Sequence, residues 1–176
     1  MNRFLKSLLQ IAFVAAPLKG AQSATLEAGD AAPLFVLKTH EGKDFDLKSR
    51  SGQWSVLYFY PKANTPGCTK QACAFRDNIK KIHEQGAEVF GISADSVEAQ
   101  AAFHKEQRLN FVLLADTGAK ISSLYGTKLP FLPVSKRWTF VIDPELKVRA
   151  IEKNVDPVLD ATRVAAKIAE LKSQNP

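Results

Sequence analysis

The sequence predicts one α/β domain with a central mixed β-sheet flanked by helices. Strand-like and helix-like segments alternate along the chain, and two of the strand-like segments, WSVLYFY (54–60) and AEVFGIS (87–93), are nearly continuous apolar runs. Such runs are typical of parallel strands that are buried on both faces. With 176 residues, 45% of them hydrophobic and 24% charged, the chain is long enough for a sizeable core. No linker divides residues 24–176, so we predict a single domain there.

The first half of this domain predicts a hairpin and then a βαβ unit. The segments APLFVLKT (32–39) and KDFDL (43–47) flank Glu41-Gly42, a turn signal that favours an N-terminal β-hairpin. A helix over 66–82 then separates the two buried strands. Strands joined by a helix in this way pair in parallel.

The second half adds a helix, a strand, a hairpin and a closing helix. Asp95 with Glu98 is similar to a capping box and predicts a helix through about Gln107. The other predicted elements are a strand at 111–116, a short helix at 119–125, a hairpin of 137–143 and 146–151 that turns at Pro144-Glu145, and a final helix capped by Asp156. This order is similar to a thioredoxin-like fold with an N-terminal β-hairpin extension.

Residues 1–23 differ from the rest of the chain and predict a cleaved signal peptide. A short basic start, Arg3 and Lys6, precedes an apolar run at 7–18 that is too short for a comfortable membrane span. Small residues, Ala21 and Ser23, then occupy the positions that a signal peptidase prefers. An uncleaved anchor or an amphipathic N-terminal helix is the alternative. We therefore expect an exported protein of the bacterial periplasm, without stable membrane association after cleavage.

The net charge does not indicate a nucleic-acid partner. Cleavage after Ser23 removes three of the 24 Lys and Arg residues and none of the 18 Asp and Glu residues, which lowers the charge from +6 to +3. The mature sequence has no basic stripe of the kind that binds nucleic acid. The histidines, His40, His83 and His104, show no ligand spacing. We expect no metal, haem, flavin or other cofactor.

Both cysteines of the chain, Cys68 and Cys73, fall on the first long helix. With Thr65 as the N-cap and Pro66 as the first helical residue, Cys68 lies in the first turn. Free backbone N–H groups and the helix dipole favour an anion there, and the thiolate is the nucleophilic form of cysteine. The helix follows a buried strand, so Cys68 also lies beyond the carboxyl end of that strand, where open sheets place reactive sites.

The spacing of the two cysteines favours redox chemistry over a static disulfide. Five residues of helix turn Cys73 about 140° from Cys68 and separate their Cα atoms by about 8.7 Å. A disulfide needs a Cα separation below about 7 Å, so the pair bonds only if the helix opens. Inert thiols, or a segment that is not helical, are the alternatives. In an oxidising compartment, a structural disulfide is the simplest reading of two cysteines.

The string YFYPKANTPGCTKQACAFRDN resembles the peroxiredoxins, in particular the group called PrxQ or bacterioferritin comigratory protein. The P-x-x-x-T-x-x-C motif of that family matches Pro61, Thr65 and Cys68, and a second cysteine five residues later, with F-R-D after it, is typical of this group. RWTFVID resembles the late strand that opens with the active-site arginine of the family, here Arg137. The resemblance runs from about Leu26 to the closing helix.

The resemblance implies the role of each residue. Cys68 would be the peroxidatic nucleophile, which attacks a hydroperoxide, becomes a sulfenic acid and releases water or an alcohol. The Thr65 hydroxyl, the Cys68 backbone N–H and the Arg137 guanidinium would stabilise the charge that develops on the peroxide oxygens. Pro61 would shape the loop and shield the thiolate. Cys73 would be the resolving thiol that forms an intramolecular disulfide with the oxidised cysteine.

Simpler interpretations remain for single residues and for the whole chain. Taken alone, Thr65 fits an N-cap, Pro61 a strand end and Arg137 an exposed charge. A general thiol–disulfide oxidoreductase of the thioredoxin class is the alternative enzyme, although no C-x-x-C is present. An exported interaction module with a static disulfide is the non-enzymatic alternative.

The resemblance also implies partners. A thioredoxin- or glutaredoxin-like protein would act as reductant, and a resolving cysteine on the same chain would let a monomer complete the cycle. Residues 127–136 depart from the pattern of the family, which leaves substrate access and partner docking open.

Overall fold

The computed structural model describes residues 26–174. The predicted signal peptide, 1–23, lies outside the described residues, so its removal stays a prediction. Among the described residues, no helix is both long enough and apolar enough to cross a bilayer.

Seven strands and four α-helices make up the described part of the chain. The strands are β1 (Val36–Thr39), β2 (Asp44–Asp46), β3 (Trp54–Phe59), β4 (Ala87–Ser93), β5 (Val112–Ala115), β6 (Trp138–Ile142) and β7 (Val148–Glu152). The helices are α1 (Pro66–His83), α2 (Val97–Glu106), α3 (Lys120–Leu124) and α4 (Asp160–Gln174), with a short 3-10 helix at Leu47–Arg50.

The strands form one mixed sheet in the order β2-β1-β5-β4-β3-β6-β7. The three central strands β3, β4 and β5 pair in parallel, and every other pair is antiparallel. The predicted mixed sheet, its βαβ unit and both hairpins are therefore confirmed. In the first hairpin, Gly42 adopts a φ of 78°, which glycine reaches without strain.

Strand β3 is buried on both faces and joins the two halves of the core. Its side chains alternate: Val56 and Tyr58 face a core shared with α1 and α4, whereas Leu57 and Phe59 face the opposite core. All four side chains are fully buried. Full burial of each large apolar side chain contributes about 1.5–3 kcal/mol. The strand that leads into the cysteine helix is thus anchored in the core on both of its faces.

A glycine on β4 sets how closely α1 approaches the sheet. A Cβ atom at Gly91 would lie 2.6 Å from the Tyr58 ring and hydroxyl and 2.7 Å from Leu113. Because that space is free, Tyr58 lies across β4 and stacks on Phe75 of α1 at a centroid distance of 4.7 Å. Aromatic contact of this kind fixes the helix against the end of β3.

The predicted cap of α2 was wrong by one residue. Ser96, not Asp95, is the N-cap, and its hydroxyl accepts a hydrogen bond from the Ala99 N–H at 3.3 Å. Asp95 lies one position too early to reach the first turn of the helix. Its carboxylate instead accepts the Ala63 N–H at 2.8 Å and the Ser93 hydroxyl at 2.6 Å.

Two further boundaries differ from the prediction. The first strand begins at Val36 rather than at residue 32. Asp156 does accept the Val158 N–H at 2.8 Å, but it caps a turn, and α4 itself begins at Asp160. Pro157 lies inside this turn, which the Asp160 N–H closes by donating to the Asp156 carbonyl at 3.0 Å.

Candidate active site

The first turn of α1 lies at the carboxyl end of β3, as predicted. The connecting loop is held by β4, because the Tyr60 N–H donates to the Ile92 carbonyl at 3.0 Å and the Ala63 N–H donates to Asp95. Asn64 then adopts a φ of 58°, a left-handed conformation that Asn tolerates better than most residues. Thr65 returns to extended backbone, and α1 starts at the next residue.

Cys68 and Arg137 meet at this turn. The Arg137 Nη2 donates to the Cys68 Sγ at 3.3 Å, although the two residues are 69 positions apart. The sheet explains the contact: β6 pairs antiparallel with β3, so Trp138, which follows the arginine, lies opposite Phe59 at the end of β3. Only 1% of Cys68 is exposed, so its sulfur meets a fixed positive charge in a place with little water.

A glutamine and an aspartate that sequence analysis did not identify extend this contact inward. The Arg137 Nη1 donates to Gln71 Oε1 at 2.6 Å, and Gln71 Nε2 donates to Asp160 Oδ2 at 2.7 Å. Both Gln71 and Asp160 are buried. The sequence pattern could have identified Gln71, because it is a polar residue three positions after Cys68 on the apolar face of a helix. No sequence pattern identified Asp160, because an aspartate at the start of a helix is common.

Thr65 occupies the N-cap position, but its hydroxyl does not cap the helix. The hydroxyl donates to the Lys62 carbonyl at 2.9 Å, within the loop that precedes α1. Pro61 is half-buried in the same loop. The structure thus brings Pro61 and Thr65 to the loop that leads into Cys68, and their catalytic roles stay predictions.

Cys73 lies one and a half turns further along α1 and faces α2 instead of Cys68. Its Sγ lies 3.8 Å from Gln107 Oε1 at the end of α2, and it is partly exposed. Both cysteines are free thiols. Because Pro66–His83 is one continuous helix, the thiols are held apart as the spacing predicted.

Gly67 leaves room for the arginine. A Cβ atom at this position would lie 3.1 Å from Arg137 Nη2. Gly67 is the second residue of α1 and has helical backbone. Glycine is therefore needed here because it has no side chain, which leaves space for the guanidinium.

Gly67→Ala is expected to slow the oxidation of Cys68 by peroxide about tenfold, because a guanidinium moved by tenths of an ångström no longer meets the sulfur well. The free energy of unfolding should stay equal or rise slightly, since alanine favours helices. Stopped-flow oxidation rates and urea denaturation measure the two effects. Lys70→Ala, an exposed change on the same helix, is the control. Equal rates for Gly67→Ala and the control would contradict this role.

Among the described residues, the histidines are not part of a cluster of metal-ligand side chains. His40 and His104 stack on each other with ring centroids 3.8 Å apart, and burial lowers the pKa of both. Between residues 26 and 174, no three His, Cys, Asp or Glu side chains lie close enough together to hold a metal ion.

Comparisons with known proteins identify the family of the chain. Residues 28–151 match the AhpC/TSA family. Peroxiredoxin Q of Populus jackii, a chloroplastic protein, is 42% identical over 150 residues, which cover 81% of this chain and 70% of the relative.

Solved structures of this group superpose over most of the chain. Peroxidoxin BcpB from Mycobacterium tuberculosis has a TM-score of 0.79 and 34% identity, covering 83% of this chain and 98% of that one. The bacterioferritin comigratory protein of Xanthomonas campestris, studied for alkyl peroxide reduction, has a TM-score of 0.74 and 27% identity, covering 81% and 99%. The chain belongs to the AhpC/TSA family, in which its relatives are peroxiredoxins Q.

Proposed function

We propose that this chain, a thiol-dependent peroxidase, reduces hydroperoxides with Cys68 as peroxidatic and Cys73 as resolving cysteine. The observation that carries this assignment is the 3.3 Å contact between Arg137 Nη2 and Cys68 Sγ at the first turn of α1. A buried thiol at a helix N-terminus, with a guanidinium donor against its sulfur, is placed for nucleophilic attack as the thiolate.

In the first step, the Cys68 thiolate attacks one oxygen of ROOH. The S–O bond forms as the O–O bond breaks, the sulfur is oxidised to a sulfenic acid, and the other oxygen leaves as ROH after it takes a proton. Negative charge spreads over both oxygens in the transition state, so fixed donors beside the sulfur lower the barrier. Arg137 supplies one, and the backbone N–H of Cys68, which has no intrahelical partner in the first turn, supplies another.

The part proposed for Thr65 differs from the one expected from sequence. Its hydroxyl hydrogen is given to the Lys62 carbonyl, which leaves the lone pairs of its oxygen as acceptors. We assign to Thr65 a hydrogen bond from the peroxide O–H, which would orient the substrate, and leave the developing charge to the N–H donors. Pro61, half-buried in the same loop, would shape the loop and shield the thiolate from water.

In the second step, the Cys73 thiol attacks the sulfenic sulfur, which forms a disulfide and releases water. The cysteines are too far apart on an intact helix, so the first turns of α1 must open before the bond forms. Slow opening protects the assembled reduced site and exposes the sulfenic acid to further oxidation when peroxide is abundant. A dithiol protein of the thioredoxin or glutaredoxin type then reduces the disulfide by exchange.

Hydrogen peroxide and organic hydroperoxides are the proposed substrates. The activity on alkyl peroxides studied for the Xanthomonas campestris relative supports the second class. Cys73 lies on the same chain as Cys68, which supports a cycle completed by a monomer. Export to a bacterial periplasm is proposed from the signal-peptide pattern of residues 1–23. The chloroplastic relatives support only the broader proposal that the protein is sent to a compartment.

Intact-mass spectrometry of the reduced protein after one equivalent of hydrogen peroxide tests both roles. The parent protein should lose two hydrogens within the dead time of mixing by hand, and Cys73→Ser should gain one oxygen on the peptide that carries Cys68. Cys68→Ser is the matched control and should not change. If the parent and Cys73→Ser both stay unchanged, Cys68 is not an activated thiol. Insulin reduction without peroxide consumption would instead support a general thiol–disulfide oxidoreductase.

A further inference from the structure

We propose that Asp160 is a positioning residue for peroxide reduction. Its carboxylate sets the orientation of the Gln71 amide, and Gln71 in turn holds the Arg137 guanidinium in place. The inference deepens the proposed function and rests on it, because it assumes that Arg137 acts on Cys68.

Asp160 is an unusual residue for the place that it occupies. Only 1% of it is exposed, and its Oδ2 accepts hydrogen bonds from Gln71 Nε2 and from Thr139 Oγ1, both at 2.7 Å. Its Oδ1 is buried and has no hydrogen-bond partner within residues 26–174. Burying a carboxylate with one oxygen unpaired is unfavourable. Asp160 does not offset this as a helix cap, because its described acceptor contacts go to side chains of α1 and β6.

The chemistry of the amide explains what the carboxylate does. The two ends of a glutamine amide are nearly equal in size, but one donates hydrogen bonds and the other accepts them. Arginine only donates, so Arg137 needs the oxygen end of Gln71. An ionised carboxylate only accepts, so Asp160 takes the NH₂ end and turns the oxygen towards the guanidinium. The two contacts of Gln71, at 2.7 Å and 2.6 Å, fit this single orientation.

The charge of Asp160 should matter over an accessible pH range. Burial raises the pKa of Asp160 to about 6, against hydrogen bonds from Thr139 and Gln71 that act the other way. Above about pH 6 the carboxylate is ionised and selects the amide orientation, and below it the protonated group can donate as well as accept, so the selection weakens.

Other charged and titratable groups surround this carboxyl. Glu152, on β7 opposite Thr139, acts to raise its pKa, and Arg137 acts to lower it. The groups near it are Arg137, which precedes β6, Thr139 from β6, Glu152 from β7, Tyr58 from β3 and Gln71 from α1. Arg163 and Lys167 of α4 line the same cavity of about 130 Å³ as Asp160. Burial raises the pKa of Tyr58 well above 10, so this phenol stays neutral in the relevant range.

Asp160→Asn tests the inference, since asparagine is close in shape but loses the charge and replaces one acceptor oxygen by an NH₂ donor, so it no longer selects one orientation of the Gln71 amide. The rate of Cys68 oxidation by hydrogen peroxide should fall about tenfold near neutral pH, the loss expected for a weakened hydrogen bond to a charged group. The ratio of the parent rate to the Asp160→Asn rate should shrink as the pH falls from about 7.5 to about 5, because the parent protonates its own carboxyl over this range.

A swap variant separates orientation from structure. In Gln71→Glu/Asp160→Asn, the carboxylate at 71 only accepts and serves Arg137, and the amide at 160 donates to it, so the arginine regains a fixed acceptor. We expect rates within about threefold of the parent. The pH dependence that ionisation of Asp160 gives the parent should be absent, because asparagine does not ionise. Asp156→Asn, a change at a partly exposed residue in the turn before α4, is the control for the helix start, since asparagine keeps an oxygen that can accept the Val158 N–H.

The outcomes distinguish the two levels of the proposal. If Asp160→Asn keeps the rate and pH profile of the parent, or if the swap variant stays as slow as the single variant while circular dichroism shows it folded, Asp160 is not a positioning residue. Failure of the proposed function would look different, since the parent itself would then not be oxidised at Cys68. Recovery in the swap variant would support the inference even if Asp160→Asn alone folded poorly.

Discussion

Arg137→Met is expected to lower kcat/KM for hydrogen peroxide by about 10²- to 10³-fold, the effect of removing one donor from a preorganised site. The Arg137 Nη2 donates to the Cys68 Sγ at 3.3 Å, so the loss removes the charge that favours the thiolate and a donor for the peroxide oxygens. Methionine is similar in length, so it keeps much of the packing but also removes the hydrogen bond to Gln71 Oε1. Steady-state peroxide consumption with a thioredoxin system measures the effect.

Two further variants make this prediction specific. Arg137→Lys keeps the charge, but one ammonium group cannot reproduce the planar fork that contacts Gln71 and Cys68 together, so we expect a loss of about tenfold or more. Lys136→Met removes a neighbouring charge that stacks on Trp138 and should stay near the parent. Equal losses of kcat/KM for Lys136→Met and Arg137→Met would contradict this prediction, because they would show that any nearby positive charge has the same effect.

Oxidation to the disulfide is expected to raise amide hydrogen exchange in the first turns of α1 by about 100-fold or more, because local opening removes helical hydrogen bonds. The expected region is 67–73, since no intact helix lets the two sulfurs bond. Exchange followed by mass spectrometry, in the reduced and the oxidised protein, measures it. Cys68→Ser treated with the same peroxide is the control and should exchange like the reduced parent.

The opening should stop near Arg76. The Arg76 Nη1 donates to the Gln107 carbonyl at 2.6 Å, and Asn110 Nδ2 donates to the Arg76 carbonyl at 3.2 Å, which ties α1 to the end of α2. Phe75, fully buried against Tyr58, holds the same turn from the other side. We therefore expect residues beyond 76 to keep their protection. An oxidised protein with an unchanged exchange pattern would show that the disulfide forms without opening the helix.

Much of the fold follows from local patterns. Buried strands such as β3 and β4 are continuous apolar runs, and a run of this kind predicts burial on both faces without any tertiary information. Helix starts were less certain, because Asp95 and Ser96 are both good caps and only the position of the first turn decides between them. The carboxylate of Asp95, which is not the cap, instead accepts the Ala63 N–H in the loop that leads to Cys68.

The sequence by itself determined the reactive element: a proline and a threonine start α1, place Cys68 in its first turn and keep Cys73 out of reach, because these are effects of helix geometry within a few residues. Only the tertiary structure decided which groups surround the sulfur. Arg137 reaches Cys68 because β6 pairs with β3, and Asp160 reaches Gln71 because α4 packs on α1. Contacts between residues 69 and 89 positions apart depend on how the sheet and helices pack, and no local pattern encodes that packing.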